Sequence, residues 1–136
     1  MKVVLDNAHI PTRAHAQDAG LDLYSREDIV ISAKESVVID TGVHIELPPD
    51  TVGFVKSKSG LCFKHDILCG EGTVDEGYTG SIRVKLFNLG GIDYKVHKGD
   101  KIAQLVIVDV LKPELEVVDS LEDTERGDNG FGSSGR

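Results

Sequence analysis

The sequence predicts an all-β, jelly-roll-like barrel with at most one short helix. Three observations carry that reading: apolar side chains recur with a period of two, helical spacing is almost absent, and turn residues break the chain roughly every 8 to 12 residues. In chain order, Asp28 to Ile31 and Ser36 to Asp40 are the first candidate strands. Val43, Ile45 and Leu47 then alternate with polar neighbours up to Pro48-Pro49-Asp50, a preset turn. Val52 and Phe54 resume the alternation. Ser59, ahead of Gly60-Leu61-Cys62-Phe63-Lys64, offers a capping hydroxyl for the single helix. The clearest strand holds Ile82, Val84 and Leu86 on one face, with Arg83 and Lys85 on the other. Gly90-Gly91 and Lys98-Gly99-Asp100 supply further reversals, and Tyr94 to His97, Lys101 to Val110 and Leu115 to Val118 complete the set. Residues 1–118 are thus read as the barrel and residues 119–136 as a flexible Gly/Ser-rich C-terminal arm, since the latter turn acidic and then glycine-dense with little to bury.

A chain of 136 residues, 40% apolar and 28% charged, suits one soluble domain. The net charge of −8 argues against nucleic-acid polymers and anionic membrane surfaces, so an anionic small molecule would need a local cationic pocket. The longest apolar run near the start, Val3 to Leu5, is too short for a secretory core, and nothing approaches the about 18 apolar residues of a membrane span. A cytoplasmic location follows as the expectation. Cys62 and Cys69 match neither a redox pair nor a zinc clip and read as buried thiols, and the five histidines form no ligand cluster.

Four clusters can carry chemistry. Gly127, Gly130, Gly132 and Gly135 free backbone N–H groups to curl around an oxyanion, Ser133 and Ser134 add hydroxyls, and Arg126 adds a planar fork. Phe131, alone among them, suits stacking on a flat ring. A frayed terminus is the plain alternative. Gly53 to Leu61 brings cations, hydroxyls and a glycine together at the helix start, a natural anion site or merely a solvated strand end. Gly70 to Gly80 is a glycine-dense reversal whose backbone can read a base edge, with Asp75 as a candidate general base and Tyr78 able to pack against a sugar. The alternative is an Asp capping its own turn. In Ala19-Gly20-Leu21-Asp22-Leu23-Tyr24-Ser25, Asp22 faces away from Leu21 and Leu23 if the segment is extended, either to hold a metal's water or to pair with a cation.

In order, these clusters resemble the signature motifs of the trimeric dUTPases (deoxyuridine 5'-triphosphate nucleotidohydrolases) over nearly the whole chain. The five matches are Ala19-Gly20-Leu21-Asp22-Leu23, Lys58-Ser59-Gly60-Leu61, Gly72 to Gly80, Gly99-Asp100-Lys101-Ile102-Ala103-Gln104-Leu105, and Arg126-Gly127 through Gly130 to Gly135. The resemblance implies a homotrimer whose active sites are shared between subunits. It also implies hydrolysis of dUTP to dUMP and pyrophosphate with Mg²⁺, limiting uracil in DNA and supplying dUMP for dTMP synthesis. By position, Asp75 would activate the water that attacks the α-phosphorus. Tyr78 would underlie the deoxyribose, and the backbone from Gly70 through Gly72, Thr73 and Val74 would read uracil. Lys58, Ser59, Gly60 and Gln104 would meet the phosphates, and Asp22 would hold a water of Mg²⁺. Phe131, Gly132, Ser133, Ser134 and Arg126 would close over the nucleotide, with Arg126 and the serines on the γ-phosphate.

Three positions depart from the family pattern. Lys58 stands where Arg is usual and lacks the bidentate fork, Gly77 stands where a second Asp is common, and Ser134 replaces Thr. Two other readings compete: a dCTP deaminase of the same fold, recruiting Glu71 or Glu76 as proton shuttle, and a non-catalytic nucleotide-sensing or partner-binding module.

Overall fold

The computed structural model describes residues 1–130 together with Gly132 and Gly135. Its strands are β1 (Lys2–Leu5), β2 (Gly20–Tyr24), β3 (Ile29–Ile31), β4 (Ser36–Asp40), β5 (Val43–Glu46) and β6 (Thr51–Lys56), followed by the helix α1 (Ser59–His65). After it come β7 (Ile67–Cys69), β8 (Gly72–Val74), β9 (Arg83–Asn88), β10 (Tyr94–Val96) and β11 (Lys101–Asp109). Every pairing is antiparallel. The larger sheet runs β2-β11-β6-β8, the second β4-β9-β7, and the pairs β1-β5 and β3-β10 flank them. The sheets stay separate rather than hydrogen-bonding into one closed cylinder, so packing, not pairing, encloses the jelly-roll-like interior.

Alternation explains what is inside. Leu23, Val55, Ala103 and Leu105 from the larger sheet share one core with Ile39, Ile67, Val84 and Leu86 from the second and with Ile31, Ile45 and Val96 from the flanking pairs. Val84 and Leu86 are buried while Arg83 and Lys85 are exposed, as the sequence predicts. Each fully buried aliphatic side chain contributes about 1.5 to 3 kcal/mol, offset by the entropy of ordering it.

Some expectations are corrected. Leu115 to Val118 is not a strand: Leu115 is 95% and Val117 98% exposed, because no second layer lies over them. The last strand, β11, ends at Asp109. Ser59 is the first helical residue rather than the cap; Lys58 takes that place with extended backbone and no capping hydrogen bond from its side chain. At the other end Asp66 adopts a left-handed φ of 55° and its N–H returns to Leu61 and Cys62 carbonyls, which stops the helix. Cys62 and Cys69 are free and only half-buried. Burial still pushes the Cys69 thiol up to about 11, against the pull of Lys56. Among the described residues no helix is long and apolar enough to cross a membrane.

Candidate active site

The expected site residues fall into two groups on opposite parts of the larger sheet. The first centres on Asp22. Its strand β2 borders β11, with Asp22 opposite Gln104, which in turn lies opposite Lys56 on β6. Asp22 is buried, and both of its oxygens are engaged: Lys58 bonds Oδ1, and the Lys101 ammonium lies 2.7 Å from Oδ2. Burial alone would raise this carboxyl, but hydrogen bonds and charge from Lys101 and Lys58 outweigh it and hold the group below the usual carboxylate range. Of the two possibilities left open for Asp22, pairing with cations is the one present in this state.

The local chain explains the arrangement. A β-bulge between Lys101 and Ala103 brings Lys101, rather than Ile102, opposite Tyr24 and so onto the face of Asp22. Ile102 and Ala103 are then both buried. Gly20 leaves room for Gln104, whose Cβ would lie 3.0 Å from any Cβ at position 20. The Gln104 amide donates to the Ser57 carbonyl at 3.1 Å, and the Ser57 hydroxyl accepts the Cys69 N–H at 2.8 Å, tying three strands where α1 begins. Ser59 and Gly60 are exposed there, and nothing stands within 4 Å of where a Gly60 side chain would be.

The second group is the segment from Gly70 to Tyr78. Gly70 donates to the Lys85 carbonyl at 2.7 Å, and Gly72–Val74 form β8, an edge strand that among the described residues pairs only with β6. Its outer backbone groups are free to bond a ligand. Asp75, exposed, opens a turn closed by the Tyr78 N–H on the Asp75 carbonyl at 3.0 Å. Gly77 has φ +89° at the third position of that turn while Glu76 does not adopt positive φ, the type II arrangement that favours Gly. This accounts physically for the glycine where the family often carries Asp. Gly72, Thr73, Val74 and Tyr78 share one cleft of about 360 Å³ with Ser81 and Arg83. Asp75 instead lines the neighbouring cleft, about 470 Å³, with Thr73 and Phe54.

These groups do not meet within one chain. Three strand spacings separate β2 from β8, and Asp75 lies level with Val52, four residues along β6 from the row of Asp22, so the carboxylates stand about 20 Å apart. Arg126 is exposed and its Nε donates to the Asn129 carbonyl of its own turn at 2.9 Å. Gly132 is likewise exposed, with φ +98°. Phe131, Ser133 and Ser134 lie outside the described residues.

Sequence reasoning assigned no role to Lys101, Ser57, Ser81 or Arg83. The Lys101 signal was present in Gly99-Asp100-Lys101, but the bulge that aims it has no local signature.

A family model described as dUTPase matches residues 6–135. The deoxyuridine 5'-triphosphate nucleotidohydrolase of Clostridium acetobutylicum is 50% identical over 99% of this chain and 94% of its own length. The dUTPase of Staphylococcus bacteriophage 80alpha, solved with dUPNHPP, superposes with a TM-score of 0.94 at 34% identity, covering 99% of this chain and 98% of that one. A mutant dUTPase from phage phi11 of S. aureus, whose structure reveals the coordination of a structural Mg(II) ion, gives a TM-score of 0.85 at 31% identity over 90% of this chain and 98% of its own.

Proposed function

We propose a division of catalytic labour whose premise is that this chain belongs to the dUTPase family: it hydrolyses dUTP to dUMP and pyrophosphate. The gap between Asp75 and Asp22 then sets the assembly. The phosphates that Asp22 and Lys58 would serve are joined to the attacked α-phosphorus through one oxygen, so residues about 20 Å apart in one chain cannot serve one substrate. A homotrimer answers this by facing the Gly70 to Tyr78 segment of one subunit with Asp22, Lys58 and Gln104 of another. The arm carrying Arg126, Phe131, Gly132, Ser133 and Ser134 closes over the nucleotide. The reaction belongs in the cytoplasm, with the free nucleotide pool as its source.

The free edge of β8 is the observation that carries the substrate assignment. Backbone N–H and C=O groups at Gly72, Thr73 and Val74 match the edge of uracil, while Tyr78 in the same cleft underlies the deoxyribose and leaves no room for a 2′-hydroxyl. Asp75 takes a proton from water as that oxygen attacks the α-phosphorus; the bond to the bridging oxygen breaks and pyrophosphate departs. Exposed Ser59 and Gly60 and the second N–H of the Gln104 amide receive phosphate oxygens.

The Asp22 site fits Mg²⁺. It presents one ionised carboxylate, and among the described residues no three His, Cys, Asp or Glu side chains cluster to cage an ion. Mg²⁺ keeps several waters and completes its shell with substrate phosphates, so one carboxylate acting through water suffices. When bound, the ion neutralises charge on the triphosphate. Lys58 then exchanges Asp22 for a phosphate, and Lys101 remains to keep the carboxylate ionised and aimed.

Pyrophosphate release measured with dUTP, dCTP, dTTP and UTP tests the assignment. Turnover of dUTP far above the other three is expected. Ammonia release from dCTP would point to the deaminase instead, and inertness toward all four to the binding module.

A further inference from the structure

Beside Asp75 lies a junction that the proposed mechanism does not use. Glu76, the next residue, accepts the Asp50 N–H at 3.0 Å and the Lys112 ammonium on the same oxygen. Lys112 also reaches Asp50 Oδ1 at 3.2 Å, and the Asp50 carbonyl accepts the Val110 N–H at 2.9 Å. Three segments distant in sequence thus meet at Glu76: the Pro48-Pro49-Asp50 turn, the turn that opens at Asp75, and the chain leaving β11. Asp75, Glu76, Val110 and Lys112 line one cleft. The pair itself is half-exposed, and pairs in that setting add little to stability. Its effect is geometric. The Asp75 turn follows an edge strand of three residues and includes Gly77, the most permissive residue, so its neighbours must fix its attitude.

We infer that Glu76 and Lys112 are positioning residues that hold the turn bearing Asp75 in the attitude hydrolysis needs. The inference rests on the reading of Asp75 as general base. Lys112 also stands at the foot of the C-terminal segment, so the same bond sets where that segment departs relative to the base. A carboxylate that must meet a water in line with the α-phosphorus loses rate when displaced by even 1 Å, whereas substrate affinity is set by β8, the phosphate contacts and the Tyr78 ring, which its own bond to the Ser81 carbonyl holds in place without Glu76.

The test is steady-state kinetics on the full-length chain with Mg²⁺ and dUTP, alongside dUpNHpp affinity and melting temperature. Glu76→Ala is expected to lower kcat about ten-fold while KM, analogue affinity and melting temperature stay near wild type, because positioning rather than binding is lost. Lys112→Met should lower kcat less, since the Asp50 N–H still holds Glu76, and Lys112→Arg should restore it. Wild-type kcat in Glu76→Ala overturns the inference. So does a joint fall of kcat, analogue affinity and melting temperature in that variant, which would be general loosening. Asp75→Asn run in parallel separates the two levels. If it retains turnover, the base assignment fails; if it is inactive while Glu76→Ala is normal, only the positioning role fails.

Discussion

The Tyr78 ring lies directly over Gly80: a Cβ at position 80 would sit 2.5 Å from the ring carbon that bears the hydroxyl and closer still to the hydroxyl oxygen. The hydroxyl donates to the Ser81 carbonyl at 3.0 Å, so the ring is pinned at its tip and accommodated from below. The orientation of the residue assigned to the deoxyribose thus depends on a missing side chain two positions away.

Gly80→Ala is therefore expected to push Tyr78 off this position without unfolding the chain, because the ring is 46% exposed and can swing into solvent. The expected result is a rise in KM for dUTP of about ten-fold and a smaller preference for dUTP over UTP. Competition kinetics with the two nucleotides measure it. An unchanged preference would mean that Tyr78 does not set sugar discrimination.

The general base makes a sharper prediction. Asp75→Asn keeps the size and most hydrogen bonds of the side chain but cannot take a proton from water, so kcat should fall by about 10² to 10⁴-fold while dUpNHpp affinity is retained. Asp75 is exposed and packs on nothing in the core, which makes a folding defect an unsuitable explanation for such a loss. Wild-type turnover in this variant would reject the role.

What the sequence revealed and what it hid follow from the same physics. Ile82, Val84 and Leu86 were legible because alternation marks the face that will be buried, and all three are. The same pattern at Leu115 and Val117 misled, since periodicity identifies a face but not whether another layer exists to cover it. β2, β7 and β8 were harder to see: one carries a buried Asp, and the other two are three residues long within a glycine-rich stretch. The motifs located Asp22, Lys58, Gln104 and Asp75. They could not show that Asp22 is shared between two lysines, because Lys101 arrives by a bulge. Nor could they show that Glu76 meets Lys112, 36 residues onward.

Removal of residues 126–136 should separate folding from catalysis. Arg126 and Gly127 are exposed and, among the described residues, bond only to Thr124 and Asn129 nearby, so the melting temperature is expected to stay within a few degrees of wild type. Activity should fall at least about ten-fold if, as proposed, the arm brings a charge-assisted fork and hydroxyl donors to the γ-phosphate. Calorimetry and pyrophosphate release on the same sample decide it. Unchanged kinetics would leave these residues as an ordinary terminus.

Acid should reveal a second support of the cleft that β8 shares with Tyr78 and Ser81. The Ser81 hydroxyl bonds Asp40, the Gly42 N–H donates to the same carboxylate at 3.0 Å, and Arg26 lies 3.0 Å from its other oxygen. The Ser81 bond above all, then the Gly42 N–H, Arg26 and Arg83, outweigh burial and hold the Asp40 carboxyl below the ordinary value. A depressed carboxyl stabilises the fold above its unfolded pKa of about 3.9, and that contribution disappears as pH falls through the lower folded value. Asp40→Asn should accordingly cost on the order of 1 kcal/mol at pH 7, modest because water screens the pair. The difference from wild type should begin to shrink below about pH 4, where the unfolded chain takes up its proton, and vanish once pH has passed below the lower folded value. Urea unfolding of both proteins at pH 7 and pH 3 measures it. A difference that is the same at both values would mean that the Asp40 charge does not hold Ser81 in place.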